Sequence, residues 1–269
     1  MPRFGVETTQ VDLRDGDAFA GALRPNTRIV YFEPLSNPGL DLIDLRRIVP
    51  AAHDAGALVV VDNTFLSPAL LRPLEYGAYI VLHSATKFLN GHGDALGGVI
   101  TMNDEAFKQK IERSRNLHGG VISPFNAFLI MRGIETLSMR LKRHSGNAMK
   151  VAEFLSGHSS VSEVRYPGLE SHPDFKTAGD LLPDGCGGMV GVTIMGGMRG
   201  LHQFAGALKL VRPWVSLGDT ASLVYGRHCE PRKGIPEGFA RLSVGLEDAD
   251  DIIADLDQAL NKTLASTRA

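Results

Sequence analysis

A lysine, two small hydroxyl residues and a carboxylate stand where a packed chain seldom leaves them. His83 to Gly98 reads H-S-A-T-K-F-L-N-G-H-G-D-A-L-G-G, and the apolar run Ala78 to Leu82 leads into it. Lys87 therefore follows the end of a buried strand, where an ammonium is costly unless paired or neutralised. A desolvated lysine has a lowered pKa and forms a Schiff base with an aldehyde. Ser84 and Thr86 beside it suit a phosphate group. Leu58 to Thr64 reads L-V-V-V-D-N-T, a second buried strand with Asp62 at its C-terminal end. Pyridoxal phosphate needs an amine for its aldehyde and an acid for its ring nitrogen. Lys87 and Asp62 supply both. Each residue also has a plainer reading: Lys87 as a snorkelling surface cation, Asp62, Ser84 and Thr86 as caps of the segments that follow.

The elements that must position these groups are legible in order. Residues 8–22 are polar and acidic and lead into a short helix. Residues 27–33 read as a strand, and Ser36-Asn37-Pro38-Gly39 as a turn directly after it. Residues 42–55 have helical spacing, with Asp41 near the start and Gly56 as the stop. The strand 57–62, a helical stretch near 69–76 and the strand 78–83 follow. This alternation predicts a parallel sheet with crossover helices. Ligands collect at the C-terminal ends of such strands, where Asn37, Asp62 and Ser84 to Lys87 all fall. A strand is expected at 97–102 and a charged helix at 104–117. A long helical stretch at 123–155, interrupted near Gly133, carries the chain onward. Strands at 161–165, 189–195 and 239–244 and helices at 201–208 and 250–264 predict a smaller, largely antiparallel second unit.

The chain has 269 residues, 43% hydrophobic and 22% charged, enough to bury one large core or two smaller ones. A net charge of -2 gives no field that favours nucleic acid or an anionic membrane. Cys186 and Cys229 lie far apart without metal-ligand spacing, which suits a reducing, cytoplasmic compartment. The first residues lack the apolar core of a signal peptide, and no apolar run is long enough to span a bilayer. No metal constellation is visible.

V-V-D-N-T-F-L-S-P followed by H-S-A-T-K-F-L-N-G-H-G-D resembles the Cys/Met-metabolism, or trans-sulfuration, family of pyridoxal-phosphate enzymes. The resemblance continues through S-N-P at Ser36 to Pro38, R-G-I-E-T-L at Arg132 to Leu137 and Y-P-G-L at Tyr166 to Leu169. It runs on through V-S-L-G-D at Val215 to Asp219 and R-L-S-V-G-L-E-D at Arg241 to Asp248. It implies an α/β, aminotransferase-like fold of type I. The expected division is a partial large domain with a mostly parallel sheet over residues 1–138 and a small C-terminal α/β domain over residues 139–269. It implies that Lys87 carries the cofactor, that Asp62 faces the ring nitrogen, and that Ser84 and Thr86 take the phosphate. By the same resemblance Asn37 contacts the ring hydroxyl, Arg241 binds the substrate α-carboxylate, and Ser216 positions the lysine amine. The implied reaction is β- or γ-elimination or replacement on a small sulfur-containing amino acid or homoserine ester, in a homo-oligomer, dimer or tetramer. His83, His92 and His228 are further acid–base candidates, each more simply read as structural.

The sequence departs from the family pattern in three places. It begins near the middle of that pattern, without the early third that supplies a ring-stacking tyrosine and a phosphate loop. Between Leu223 and Arg241 the loop is short, with Y-G-R-H at Tyr225 to His228 where the family has H-P-x-x-M-T-H. Tyr79 replaces the usual aspartate of G-A-D-I, and Pro34-Leu35 precede S-N-P. Two further readings therefore stand beside catalysis: a non-catalytic remnant, and an assembly partner of a longer relative.

Overall fold

The computed structural model describes residues 2–226 and 234–267; His228 and Cys229 lie outside them. Elements of the first part are α1 (Gly16–Ala22), β1 (Ile29–Phe32), α2 (Leu45–Asp54), β2 (Leu58–Asp62), α3 (Ser67–Leu70), β3 (Ile80–Ser84) and β4 (Gly98–Thr101). Three helices follow: α4 (Glu105–His118), α5 (Pro124–Glu135) and α6 (Leu137–Ser156). The remainder is β5 (Val161–Arg165), α7 (Phe175–Leu181), β6 (Met189–Ile194), α8 (Gly197–Ala207), β7 (Arg212–Pro213), β8 (Leu223–Tyr225), β9 (Phe239–Ser243) and α9 (Ala249–Thr267).

The first sheet is four-stranded in the order β1-β2-β3-β4, parallel from β1 to β3 and antiparallel at β4. Strand alternation sends Val30, Phe32, Val59, Val61 and Val81 to one face, where all are buried. That face packs on α2, whose apolar stripe is Leu45, Ile48, Val49 and Ala52. The other face carries Ile29, Tyr31 and Ile100, exposed by 59%, 55% and 48%. Parallel sheets are usually covered on both faces, and this one is open along β1.

Several local expectations shift for physical reasons. The cap of α2 is Asp44, whose side chain accepts from Arg46 N, so the helix begins later than Asp41 would start it. Asp41 instead accepts from Ser36 Oγ at 3.1 Å and pairs with Arg14. The stretch near 69–76 is split by Leu71-Arg72 into α3 and a 3-10 turn from Pro73 to Tyr76. The interruption expected near Gly133 falls at Thr136, where the chain turns between α5 and α6. Gly133 lies within α5 for a different reason: a Cβ there would sit 2.2 Å from the Asn90 carbonyl oxygen. Tyr79 donates its hydroxyl to Asp104, the N-cap of α4, and meets Phe107 edge-on at 5.5 Å.

The second sheet is five-stranded, β5-β6-β9-β8-β7, antiparallel except for the short β7–β8 pair. The helix α6 packs against β5, β6 and α9 and touches α3 of the first part. It is thus the mechanical link between the sheets. Among the described residues no helix is long and apolar enough to cross a membrane. Nor does any group of His, Cys, Asp and Glu among them suit a metal ion.

Candidate active site

The end of β3 turns sharply after Ser84. Lys87 N donates to Ser84 O at 3.1 Å, Asn90 N to Ala85 O at 2.9 Å and Gly91 N to Lys87 O at 2.8 Å. These bonds throw the Lys87 side chain off the C-terminal edge of the sheet. Its Nζ donates to Ser216 Oγ at 2.8 Å. The Ser216 carbonyl accepts from Arg241 Nη2 at 3.0 Å, and Arg241 Nη1 donates to Asn37 Oδ1 at 2.6 Å. Lys87, Ser216, Arg241 and Asn37 therefore form one hydrogen-bonded chain across both sheets. Arg241 lies on β9, buried, with its guanidinium 5.4 Å from the Tyr225 ring centroid and 5.9 Å from that of Phe65. Aromatic faces favour a planar cation there.

Asp62 ends β2, one strand away. Its Oδ1 accepts from Thr64 N at 3.1 Å and from Thr64 Oγ1 at 2.5 Å, and its Oδ2 accepts from the Tyr31 hydroxyl at 3.3 Å. Thr64 Oγ1 in turn accepts from Ser84 N at 2.8 Å. One hydroxyl thus joins the acid of β2 to the turn that bears the lysine. Thr86 is differently engaged: its Oγ1 accepts from Gly97 N at 3.0 Å and lies 3.3 Å from Gly97 O. That contact pins the start of β4 beside Lys87. Ser84 is half-buried at the same edge.

Burial lowers the Lys87 pKa; Asp219 opposes the shift and Arg241 adds to it. Burial raises Tyr31 to about 12, helped by Asp62 and Glu33, so its phenol stays protonated and donates to Asp62. His83 is buried, and burial holds its imidazole below the ordinary range. His92 is exposed, with Nδ1 2.7 Å from Asn90 O. Neither histidine contacts the Lys87–Ser216–Arg241 chain in these bonds.

Sequence spacing missed Glu33, Thr64, Arg140 and Asp219. Glu33 Oε2 accepts from Asn37 N at 2.8 Å and shapes the turn that presents Asn37. Burial raises its pKa, Asn37 N–H lowers it and Asp62 raises it. Arg140 is buried and donates to the carbonyls of Phe88, Leu89 and Gly133 at 2.8, 3.2 and 2.6 Å. It clamps the turn immediately after Lys87. Thr64 and Asp219 lie inside the D-N-T and V-S-L-G-D motifs, and Glu33 just upstream of the S-N-P turn, so those motifs are the signals that could have drawn the eye to them.

The donor set fits pyridoxal phosphate. A half-buried amine of lowered pKa, a strand-end carboxylate with its Oδ2 turned to a phenol, and flanking hydroxyls share one edge of the sheet. Such an edge on an α/β fold defines a pyridoxal-phosphate-dependent enzyme class. The chain belongs to the Cys/Met metabolism PLP-dependent enzyme family, whose model matches residues 1–261. Pyridoxal phosphate is its cofactor. An L-methionine gamma-lyase of Treponema denticola is 42% identical over 275 residues, covering 97% of this chain and 68% of that protein. A cystathionine gamma-synthase of Mycobacterium tuberculosis is 42% identical over 265 residues, covering 96% and 68% respectively. The solved structure of metB from Corynebacterium glutamicum superposes with a TM-score of 0.92 at 36% identity, covering 97% of this chain and 69% of that one. The expected α/β fold class is the one these structures share.

Proposed function

We propose that the chain is a trans-sulfuration enzyme that eliminates or replaces a β- or γ-substituent of a small sulfur-containing amino acid or homoserine ester. The observation that carries this reading is the bonded chain from Lys87 through Ser216 and Arg241 to Asn37. The Lys87 amine bonds the hydroxyl of Ser216 and the Arg241 guanidinium bonds its carbonyl, an arrangement that supports reading the first as the proton-moving amine and the second as the carboxylate-binding cation. When bound, pyridoxal phosphate supplies an aldehyde carbon for an amine and a ring that withdraws electrons from the carbon next to it.

In this reading Lys87 holds the cofactor, and its amine takes and returns the proton at the substrate α-carbon. Its lowered pKa leaves more of the amine in the basic form. Arg241 binds the α-carboxylate through its planar fork, and Ser216 orients the lysine amine. Asp62 holds the ring nitrogen, with its own position fixed by Thr64 and Tyr31. Ser84 and Thr86 face the phosphate, and Asn37 the ring hydroxyl. The proposal includes a homo-oligomer in the cytoplasm and a division into domains near residue 138, at the start of α6.

The test is a visible absorption spectrum after incubation with pyridoxal phosphate, compared with Lys87→Ala. A lysine-dependent band, fixed onto Lys87 by borohydride, supports the reading, as does keto-acid release from methionine, cystathionine or cysteine. Identical spectra for both proteins remove it. The open apolar face at Ile29, Tyr31 and Ile100 favours a second reading, an assembly partner rather than a catalyst. That reading gains if keto acid is released only after mixing with a longer relative.

A further inference from the structure

Arg241 is held by aromatic rings as well as by hydrogen bonds. In the sheet register it faces Gly191 of β6 on one side and Tyr225 of β8 on the other. Gly191 has no side chain, and a Cβ there would lie 2.9 Å from the Phe239 ring. Tyr225 is therefore the side chain set directly across from Arg241, and residues so paired on one face of a sheet lie side by side. The guanidinium carbon stands over the Tyr225 ring, 5.4 Å from its centroid, and 5.9 Å from the ring centroid of Phe65, just past β2. Arg241 is only 6% exposed, so these contacts are largely shielded from water.

The backbone that carries Tyr225 is pinned on both sides. Val224 O accepts from Trp214 N at 3.1 Å, and a Cβ on Gly226 would lie 3.0 Å from both Ala240 Cβ and Leu201 Cδ2. Tyr225 also opens the Y-G-R-H stretch in which the sequence departs from the family pattern, so the shared motifs alone do not supply this ring. Arg241 Nη1 on Asn37 Oδ1 and Nη2 on Ser216 O set the plane of the guanidinium. An aromatic face beside that plane attracts the cation and keeps water from it. The fork is thus oriented before a ligand arrives, and a carboxylate that meets it costs less ordering on binding.

We propose that Tyr225 is a positioning residue for substrate recognition, whose ring face holds the Arg241 guanidinium in the orientation that receives the α-carboxylate. The proposal rests on the reading of Arg241 as the carboxylate-binding cation. Its consequence is selectivity for an α-amino acid over the amine that lacks only the carboxyl group. The ring face carries the role, and the hydroxyl does not.

The test reads affinity rather than turnover. Protein loaded with pyridoxal phosphate is titrated with norleucine, which has no sulfur leaving group, and with pentylamine, the same molecule without its carboxyl group. The change in the cofactor's visible band gives each Kd. Wild type is expected to bind norleucine the more tightly. Tyr225→Leu should raise the norleucine Kd by about tenfold and leave that of pentylamine in place. Tyr225→Phe, which keeps the ring face, should retain both wild-type values. Tyr225→Met, which fills the space with a flexible chain, repeats the measurement if Tyr225→Leu does not fold. A norleucine Kd unmoved by losing the ring, an equal loss for both ligands, or a loss in Tyr225→Phe as large as in Tyr225→Leu overturns the proposal and leaves the functional reading standing. A wild type that binds norleucine no more tightly than pentylamine removes Arg241 as the carboxylate-binding cation, and the proposal falls with that reading.

Discussion

Lys87 Nζ donates to Ser216 Oγ at 2.8 Å, a bond between residues 129 positions apart in the chain. Ser216 holds φ 85, a left-handed backbone that a serine adopts at a cost of about 1 kcal/mol. Strain at a residue that binds the site lysine is a local cost that the site itself exploits. Ser216→Gly separates the two effects. Relief of the strain is offset by the added freedom of the unfolded chain and by the lost Lys87 bond, so stability in urea unfolding changes by less than about 0.5 kcal/mol. Losing the hydroxyl slows the lysine-dependent cofactor band by about fivefold, the worth of one hydrogen bond. A variant that is faster as well as more stable contradicts this account.

Close approach of backbones fixes another position. Gly133→Ala would put a methyl 2.2 Å from the Asn90 carbonyl oxygen, in the turn that follows Lys87. The expected cost is about 2 kcal/mol, from overpacking. Gly146, on α6, is exposed, and a Cβ added there would meet nothing within 4 Å. Gly146→Ala should therefore gain up to about 1 kcal/mol from helix propensity. Thermal melts of the two variants must move in opposite directions.

These cases mark where sequence reading works and where it stops. Lys87 and Asp62 are legible because a charged group at or just after the end of an apolar run breaks the local pattern. Ser216 and Arg241 sit in short strands and turns whose own spacing says nothing about Lys87, and only the family resemblance draws them in. Glu33 acts through a bond to Asn37 N that ordinary turn chemistry also explains, whereas Thr64 bonds both Asp62 and the distant Ser84, a link that no local pattern shows. The strands β2 and β3 are visible because a buried strand needs an apolar run. The strands β7 and β8, Arg212–Pro213 and Leu223–Tyr225, are too short to show a period. Propensity ranks glycine low and points to a break near Gly133, which falls at Thr136; the reason for the glycine itself is tertiary contact with Asn90.

Arg140 makes a prediction about the turn itself. Its guanidinium bonds the carbonyls of Phe88, Leu89 and Gly133 and the Thr136 hydroxyl. Burial lowers its pKa without removing its charge. Arg140→Met fills similar space but leaves buried carbonyls unsatisfied, at about 3 kcal/mol. Arg140→Lys rescues little, because a single ammonium cannot span the fork that reaches both sides of the turn. Urea unfolding gives the stability. The cofactor band gives the local effect, since a loosened Phe88–Leu89 segment releases Lys87 from Ser216. Full rescue by lysine would mean that charge, not the fork, holds the turn.

Acid sensitivity follows from a histidine outside the site. His144 on α6 is fully buried; its Nδ1 lies 2.7 Å from Val244 O, and its ring meets Phe88 edge-on at 5.2 Å. The carbonyl requires the proton on Nδ1, so the neutral ring carries none on Nε2. Burial, only partly offset by Val244 O, lowers its pKa from 6.5 to about 4. Between those values the unfolded chain binds a proton that the folded chain refuses. Stability therefore rises with pH across this window, and it is lost as pH falls below 6.5, completely by about 4. The loss is about 3 kcal/mol. His83 and His172, also lowered chiefly by burial, act in the same direction. Urea midpoints at about pH 7.5 and about pH 5 should differ accordingly. His144→Phe, which keeps the ring against Phe88 and cannot be protonated, should flatten the difference while lowering stability at the higher pH through loss of the Val244 bond. A variant with an unchanged slope would place the acid sensitivity in other groups.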